Sequence, residues 1–162
     1  MTPRFAGAAA LLAILAAFGP TRAEEKPVAP YAVSDANAGA TPITNLAVFS
    51  AFHGQAGVER IVAGLIVSAH TDPRLNDIFR AADFERLRRL LIEQFCYLLG
   101  GPSHYSGRNM RAAHADQGLQ VRDYDALVED LQAAMAKEGV PFWAQNRLLA
   151  KLAPMKRVVV TR

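Results

Sequence analysis

The sequence predicts an all-α fold. Apolar residues recur at spacings of three and four from residue 58 onward, no run alternates at period two long enough to make a strand, and the apolar stretches end in glycine or proline. With 162 residues the chain can bury one domain core after a targeting segment is set aside.

The opening "MTPRFAGAAALLAILAAFGPTRAEEK" places Arg4 ahead of an apolar run from Phe5 to Phe18, followed by Gly19-Pro20 and a small residue before Glu24. That order predicts a signal peptide over residues 1–23, cleaved after Ala23, and a mature protein that is periplasmic or secreted and free of the membrane. The run holds about 14 residues, short of the roughly 20 that span a bilayer. Cleavage removes Arg4 and Arg22 and no acid, so two charges leave the formal +3 and about +1 remains. No basic stripe with interleaved aromatics is present, which excludes a nucleic-acid partner. Cys96 is the single cysteine, so an intramolecular disulfide, a CxxCH haem attachment and cysteine-built zinc or iron–sulfur sites are all excluded.

Residues 24–43 mix Pro, Ala, Gly, Ser and Asn without apolar periodicity and read as a flexible leader, leaving 44–162 as the domain. Val58, Ile61, Val62, Leu65, Ile66 and Ala69 form one helical face, ended by Pro73. A short turn with Leu75, Ile78 and Phe79 follows. Asp83 is an N-cap for a helix presenting Phe84, Leu87, Leu90, Leu91, Phe95 and Leu98, stopped by "GGP" at 100–102. Asp123 caps the next, with Tyr124, Leu127, Val128, Leu131 and Met135, ended by Gly139 and Pro141. A last helix is expected from Phe142 to Val159, burying Leu149, Leu152 and Ala153, with "RVVV" as its fraying end. The helices before residue 100 should pair, as should the two after residue 120. Between the pairs, residues 100–122 form a long, weakly helical connection of the kind that carries function.

That connection contains "GRNMRAAHADQGL" at 107–119, with His114 near its centre. The four histidines lack HExxH or HxH spacing, and GxSxG, GxGxxG and Walker loops are absent, which leaves no motif for zinc, serine-hydrolase or nucleotide chemistry. A lone neutral imidazole can hold a haem iron, because the porphyrin supplies the four equatorial ligands. Ala112, Ala113 and Ala115 would let a flat macrocycle approach. Ile66, Phe79, Leu87, Leu91, Phe95, Leu119 and Leu127 supply apolar surface for one, although ordinary core has the same periodicity. Met110, four residues before His114, shares its face and is read as packing on such a group. Cys96 reads as an inert buried thiol.

"GLIVSAHTDPRLNDIF", "LLGGPSHYSGRNMRAAHADQGL" and "GVPFWAQNRLLAKLAPMKRVVV" resemble the truncated haemoglobins of group I over about residues 46–159. The resemblance implies a two-over-two helical sandwich around non-covalent haem b. It also implies His114 as the iron ligand, Phe79 against the haem face, and Tyr105, Ser106 and Arg108 near the propionates. It implies a diatomic gas (O2, NO or CO) as ligand, an electron-donor protein as partner for redox cycling, and a monomer or weak dimer. The chain departs from the family pattern where a distal tyrosine and glutamine usually grip dioxygen. Ile66 and Leu91 hold those positions and Leu87 the gating one, so with Phe95 the distal side is apolar around a five-coordinate iron. Gas binding, sensing or redox cycling is the expected activity. Nitric oxide dioxygenation needs a lasting dioxygen complex, which the apolar side disfavours. A haem-free interaction module is disfavoured by His114 together with Phe79.

Overall fold

The computed structural model describes residues 24–162, and the expected signal peptide lies outside the described residues. Eight α-helices and two 3-10 turns are the regular elements of the described residues, with no strand among them. A helix α1, Leu46–Ala51, precedes everything the periodicity identified. Its N-cap Asn45 accepts the Ala47 N–H at 3.0 Å. His53 (φ 58°) and Gly54 (φ 63°), both left-handed, turn the chain into α2, Gly54–Thr71. The corner is so tight that a Cβ on Gly57 would stand 1.9 Å from the Phe52 carbonyl oxygen.

Helices α3 (Asn76–Phe79), α4 (Phe84–Leu98), α5 (Met110–His114), α6 (Val121–Lys137), α7 (Phe142–Leu152) and α8 (Lys156–Val159) follow. Asp83 caps α4 as the sequence predicts, its Oδ1 accepting the Arg86 N–H at 3.1 Å. Helix α6 starts two residues before the predicted cap, and Asp123 instead reaches back to accept the Gln120 N–H at 2.9 Å. The single last helix expected to Val159 is broken. Pro154 supplies no N–H, so a 3-10 turn at Ala153–Met155 separates α7 from α8. The break turns Ala153 out to solvent, and Ala144 and Leu148 take the fully buried places on α7.

Helix α2 is the shared partner of both layers, packing broadly on α4 and on α6, while α4 rests on α7. This is a two-over-two sandwich, α2 and α4 over α6 and α7. The expected close α6–α7 pair is reduced to a short contact, because α6 spends its apolar face on α2. Val62, Leu98, Leu99, Met135 and Leu148 fill the space between layers without exposed surface or nearly so. Burying each such side chain contributes about 1.5–3 kcal/mol.

The leader departs most from expectation. Read as flexible, residues 24–43 lie bound along α4 and the connection before α5. The Glu25 carboxylate meets Arg89 at 2.5 Å and Arg86 at 3.3 Å, and the Lys26 N–H donates to Asp83 at 2.6 Å. The Tyr31 hydroxyl donates to the Ser106 carbonyl at 3.0 Å, and Asn37 Nδ2 to that of Gly107 at 3.1 Å. A 3-10 turn at Asp35–Ala38 packs on α4 and buries Ala38 completely. Composition hid this because the fastenings are polar pairs separated by about 60 to 75 residues.

Candidate functional site

The site is built from α5 outward. Asn109 accepts the Ala112 N–H at 2.9 Å, which starts a five-residue helix in an otherwise irregular connection. That one turn stacks Met110 under His114, and His114 Nδ1 lies 2.7 Å from the Met110 carbonyl oxygen. A carbonyl only accepts, so the proton sits on Nδ1 and the Nε2 lone pair is free. Burial pushes the His114 pKa down, partly opposed by that same hydrogen bond. The side chain is therefore a neutral, oriented imidazole, as a metal-binding histidine must be.

His114 forms part of the wall of a cavity of about 190 Å³ between the helix layers. Ile66, Phe79, Leu87, Leu91, Phe95, Met110, Leu119 and Leu127 line it too, so nine of the ten positions read from the sequence are brought together. Tyr105, expected near the propionates, is the exception and does not line the cavity. Its ring is buried away from the cavity against Gly107, its hydroxyl donates to the Arg108 carbonyl at 3.2 Å, and burial pushes its pKa up to about 12. Ser106 and Arg108, expected beside it, are engaged elsewhere. The Ser106 hydroxyl lies 2.6 Å from a Glu93 oxygen, while the Arg108 guanidinium donates to the Ala29 carbonyl and stacks on Tyr31. Ala112, Ala113 and Ala115 are also off the cavity wall, since α5 turns Met110 and His114 inward instead.

The sequence reading missed Gln94. It lines the cavity yet is only 6% exposed. Its Nε2 donates to the Ala38 carbonyl at 2.9 Å and toward Met110 Sδ at 3.3 Å. The signal was present, because positions 87, 91 and 94 follow one another on a single helical face. Other polar wall groups are each engaged through one atom. Tyr124 donates to the Leu152 carbonyl at 3.0 Å, Gln117 to that of Ala113 at 3.1 Å, and Asp123 serves the α6 start.

No three His, Cys, Asp or Glu side chains gather to hold a bare metal ion among the described residues. One imidazole nitrogen facing a largely apolar cavity suits a metal that arrives with its in-plane ligands already attached, which is the chemistry of haem. Cys96 is buried, with its pKa pushed up to about 11, and is inert as a thiolate ligand.

Comparison with known proteins agrees. The bacterial-like globin family model matches residues 47–161. A group 1 truncated haemoglobin of Tetrahymena thermophila is 33% identical over 93 residues, covering 57% of this chain and 77% of that protein. The group 1 truncated haemoglobin GlbN of a Nostoc species is 31% identical over 109 residues, covering 67% and 92%. The crystal structure of the Fe(III) form of truncated haemoglobin from Tetrahymena pyriformis superposes with a TM-score of 0.68 at 24% identity, covering 71% of this chain and 98% of that one. With its all-helical two-over-two architecture and its inward histidine, the chain belongs to the bacterial-like globins, as a group 1 truncated haemoglobin.

Proposed function

We propose that this chain is an exported, non-covalent haem b protein that binds a diatomic gas at a five-coordinate iron, with His114 Nε2 as the proximal ligand. The observation that carries the reading is the His114 Nδ1 to Met110 carbonyl contact of 2.7 Å. It leaves one oriented, neutral nitrogen facing a largely apolar cavity. Haem iron, when bound, supplies the open coordination position at which the gas ligates. The chain's own residues do the rest. Phe79, Met110 and Leu127 give flat-ligand packing, and the hydrogen bond at Nδ1 raises the electron-donating power of Nε2. Ile66, Leu87, Leu91 and Phe95 keep water from the gas side and offer it no hydrogen-bond donor. Among the described residues His114 is the only histidine on the wall and Cys96 does not line it, which supports non-covalent attachment. Export follows from the order of residues 1–23, with cleavage after Ala23.

The test is the absorption spectrum of the purified protein in ferric and ferrous states beside that of His114→Ala. A Soret band that the substitution abolishes is the expected result. A band that survives unchanged in His114→Ala overturns the ligand assignment, and N-terminal sequencing of the exported protein checks cleavage before Glu24.

A further inference from the structure

We propose that the leader backs the lining of the ligand site and that Gln94 is the positioning residue through which it holds the proximal histidine. The inference rests on the haem reading of His114. Residues 24–46 lie outside the family match, yet they reach the cavity lining at two points. At the first, the Ala38 carbonyl, fully buried, accepts from Gln94 Nε2 at 2.9 Å. The same amide nitrogen meets Met110 Sδ at 3.3 Å. A carbonyl and a thioether only accept, so the two amide hydrogens are committed and the nitrogen end of the side chain is fixed toward the leader and α5. At the second, Gly39 takes φ +89°, and a Cβ there would stand 2.8 Å from Met155 Cε and 3.0 Å from Met110 Cγ. The leader backbone therefore rests directly on two cavity-lining methionines. Met110 in turn gives its carbonyl to His114 Nδ1 at 2.7 Å.

The path from leader to Gln94 to Met110 to His114 is continuous. Its consequence is chemical, because the partner of one imidazole nitrogen sets the donor strength of the other. Displacing Met110 lengthens the Nδ1 hydrogen bond and weakens Nε2 as a ligand.

The test uses the full chain with two substitutions. Gln94→Met keeps a flexible side chain of similar length and removes both donors; Gly39→Ala places a methyl against the methionines from the leader side. In the haem-loaded ferrous protein, both should lower the iron–histidine stretching frequency in resonance Raman. Both should also speed haem transfer to an acceptor globin about tenfold, the equivalent of one hydrogen bond. In the haem-free protein, nitrogen-15 NMR should show the His114 Nδ1 proton exchanging faster than in the parent. Thr41→Val, which removes only the distant Lys151 contact of the leader, should leave every signal in place. A fall in melting temperature with both His114 signals unchanged makes Gln94 an ordinary core residue and overturns the proposal. If Gln94→Met does not fold, Gly39→Ala decides alone by the same signals. A parent chain that takes up no haem overturns the functional reading, while the haem-free NMR comparison still decides the coupling.

Discussion

Replacing Ile66 by tyrosine should slow dioxygen release from the ferrous protein by about 10- to 150-fold. Ile66 shares the cavity wall with Leu87, Leu91 and Phe95, none of which donates a hydrogen bond. The polar groups on that wall do not fill the gap. Both Gln94 amide hydrogens are engaged, and the Tyr124 hydroxyl and Gln117 amide donate to backbone carbonyls. A hydrogen bond to a charged partner contributes about 1.5–3 kcal/mol, and each 1.4 kcal/mol is tenfold. Overpacking would ordinarily cost about 1–3 kcal/mol. Any such cost falls on folding and haem uptake, so release rates are compared on fully haem-loaded parent and variant. Stopped-flow displacement of dioxygen by carbon monoxide measures the parent and Ile66→Tyr rates. Carbon monoxide release, which depends less on a donor, should change far less. Slow release by the parent would refute the apolar-side argument, and an unchanged rate in Ile66→Tyr would refute the missing-donor explanation.

Three further outcomes follow from the fold. Gly57→Ala, which in a helix interior ordinarily gains about 1 kcal/mol, should here cost about 3 kcal/mol, because its methyl would meet the Phe52 carbonyl at 1.9 Å and backbone cannot step aside; thermal melting decides the sign. Asp83→Ala should cost about 1 kcal/mol in urea unfolding through loss of the α4 cap, and it also frees the Lys26 N–H, so limited proteolysis should cut the leader faster. Glu138→Gln should cost about 0.5–1 kcal/mol at neutral pH, since Arg60 and His53 are half exposed to solvent. Hydrogen bonds from Arg60 and then His53 hold the Glu138 pKa down to about 2, so its stabilisation is present above about pH 4.5 and fades as pH falls toward 2. Urea midpoints of parent and variant should therefore converge in acid; a gap that persists at pH 2 contradicts the ion-pair account.

The long helices were legible because burial imposes a period, and His114 stood out because the proposed haem ligation would need only one side chain. Val58 to Ala69 and Phe84 to Leu98 showed their faces directly, and eight of the positions grouped with His114 line one cavity with it. What the sequence did not reveal was non-local or polar. Tyr105, put near the propionates by resemblance, takes part of its neighbourhood from the leader, with Asp35 accepting its N–H at 2.8 Å. Gln94 was passed over because an amide does not count toward an apolar stripe, although its register put it in line with Leu87 and Leu91. The break at Pro154 was local and was readable, since proline inside a helical run removes a donor wherever it stands.

The polar bookkeeping of the cavity narrows what this protein acts upon. A site that recognises a charged or multiply hydrogen-bonding substrate must present donors or acceptors that the fold itself leaves open. Here the amide hydrogens of Gln94, the hydroxyl of Tyr124 and the carboxylate of Asp123 are all committed to the chain's own backbone or sulfur atoms. Rearranging any of them would strand a buried carbonyl or N–H at a cost of about 1–3 kcal/mol, which opposes recruitment by a guest. His114 Nε2 is thus a basic nitrogen left open, in a wall that is mostly apolar. Such a chamber supports the proposal of a bound haem and of a small, uncharged ligand that needs no partner but the metal.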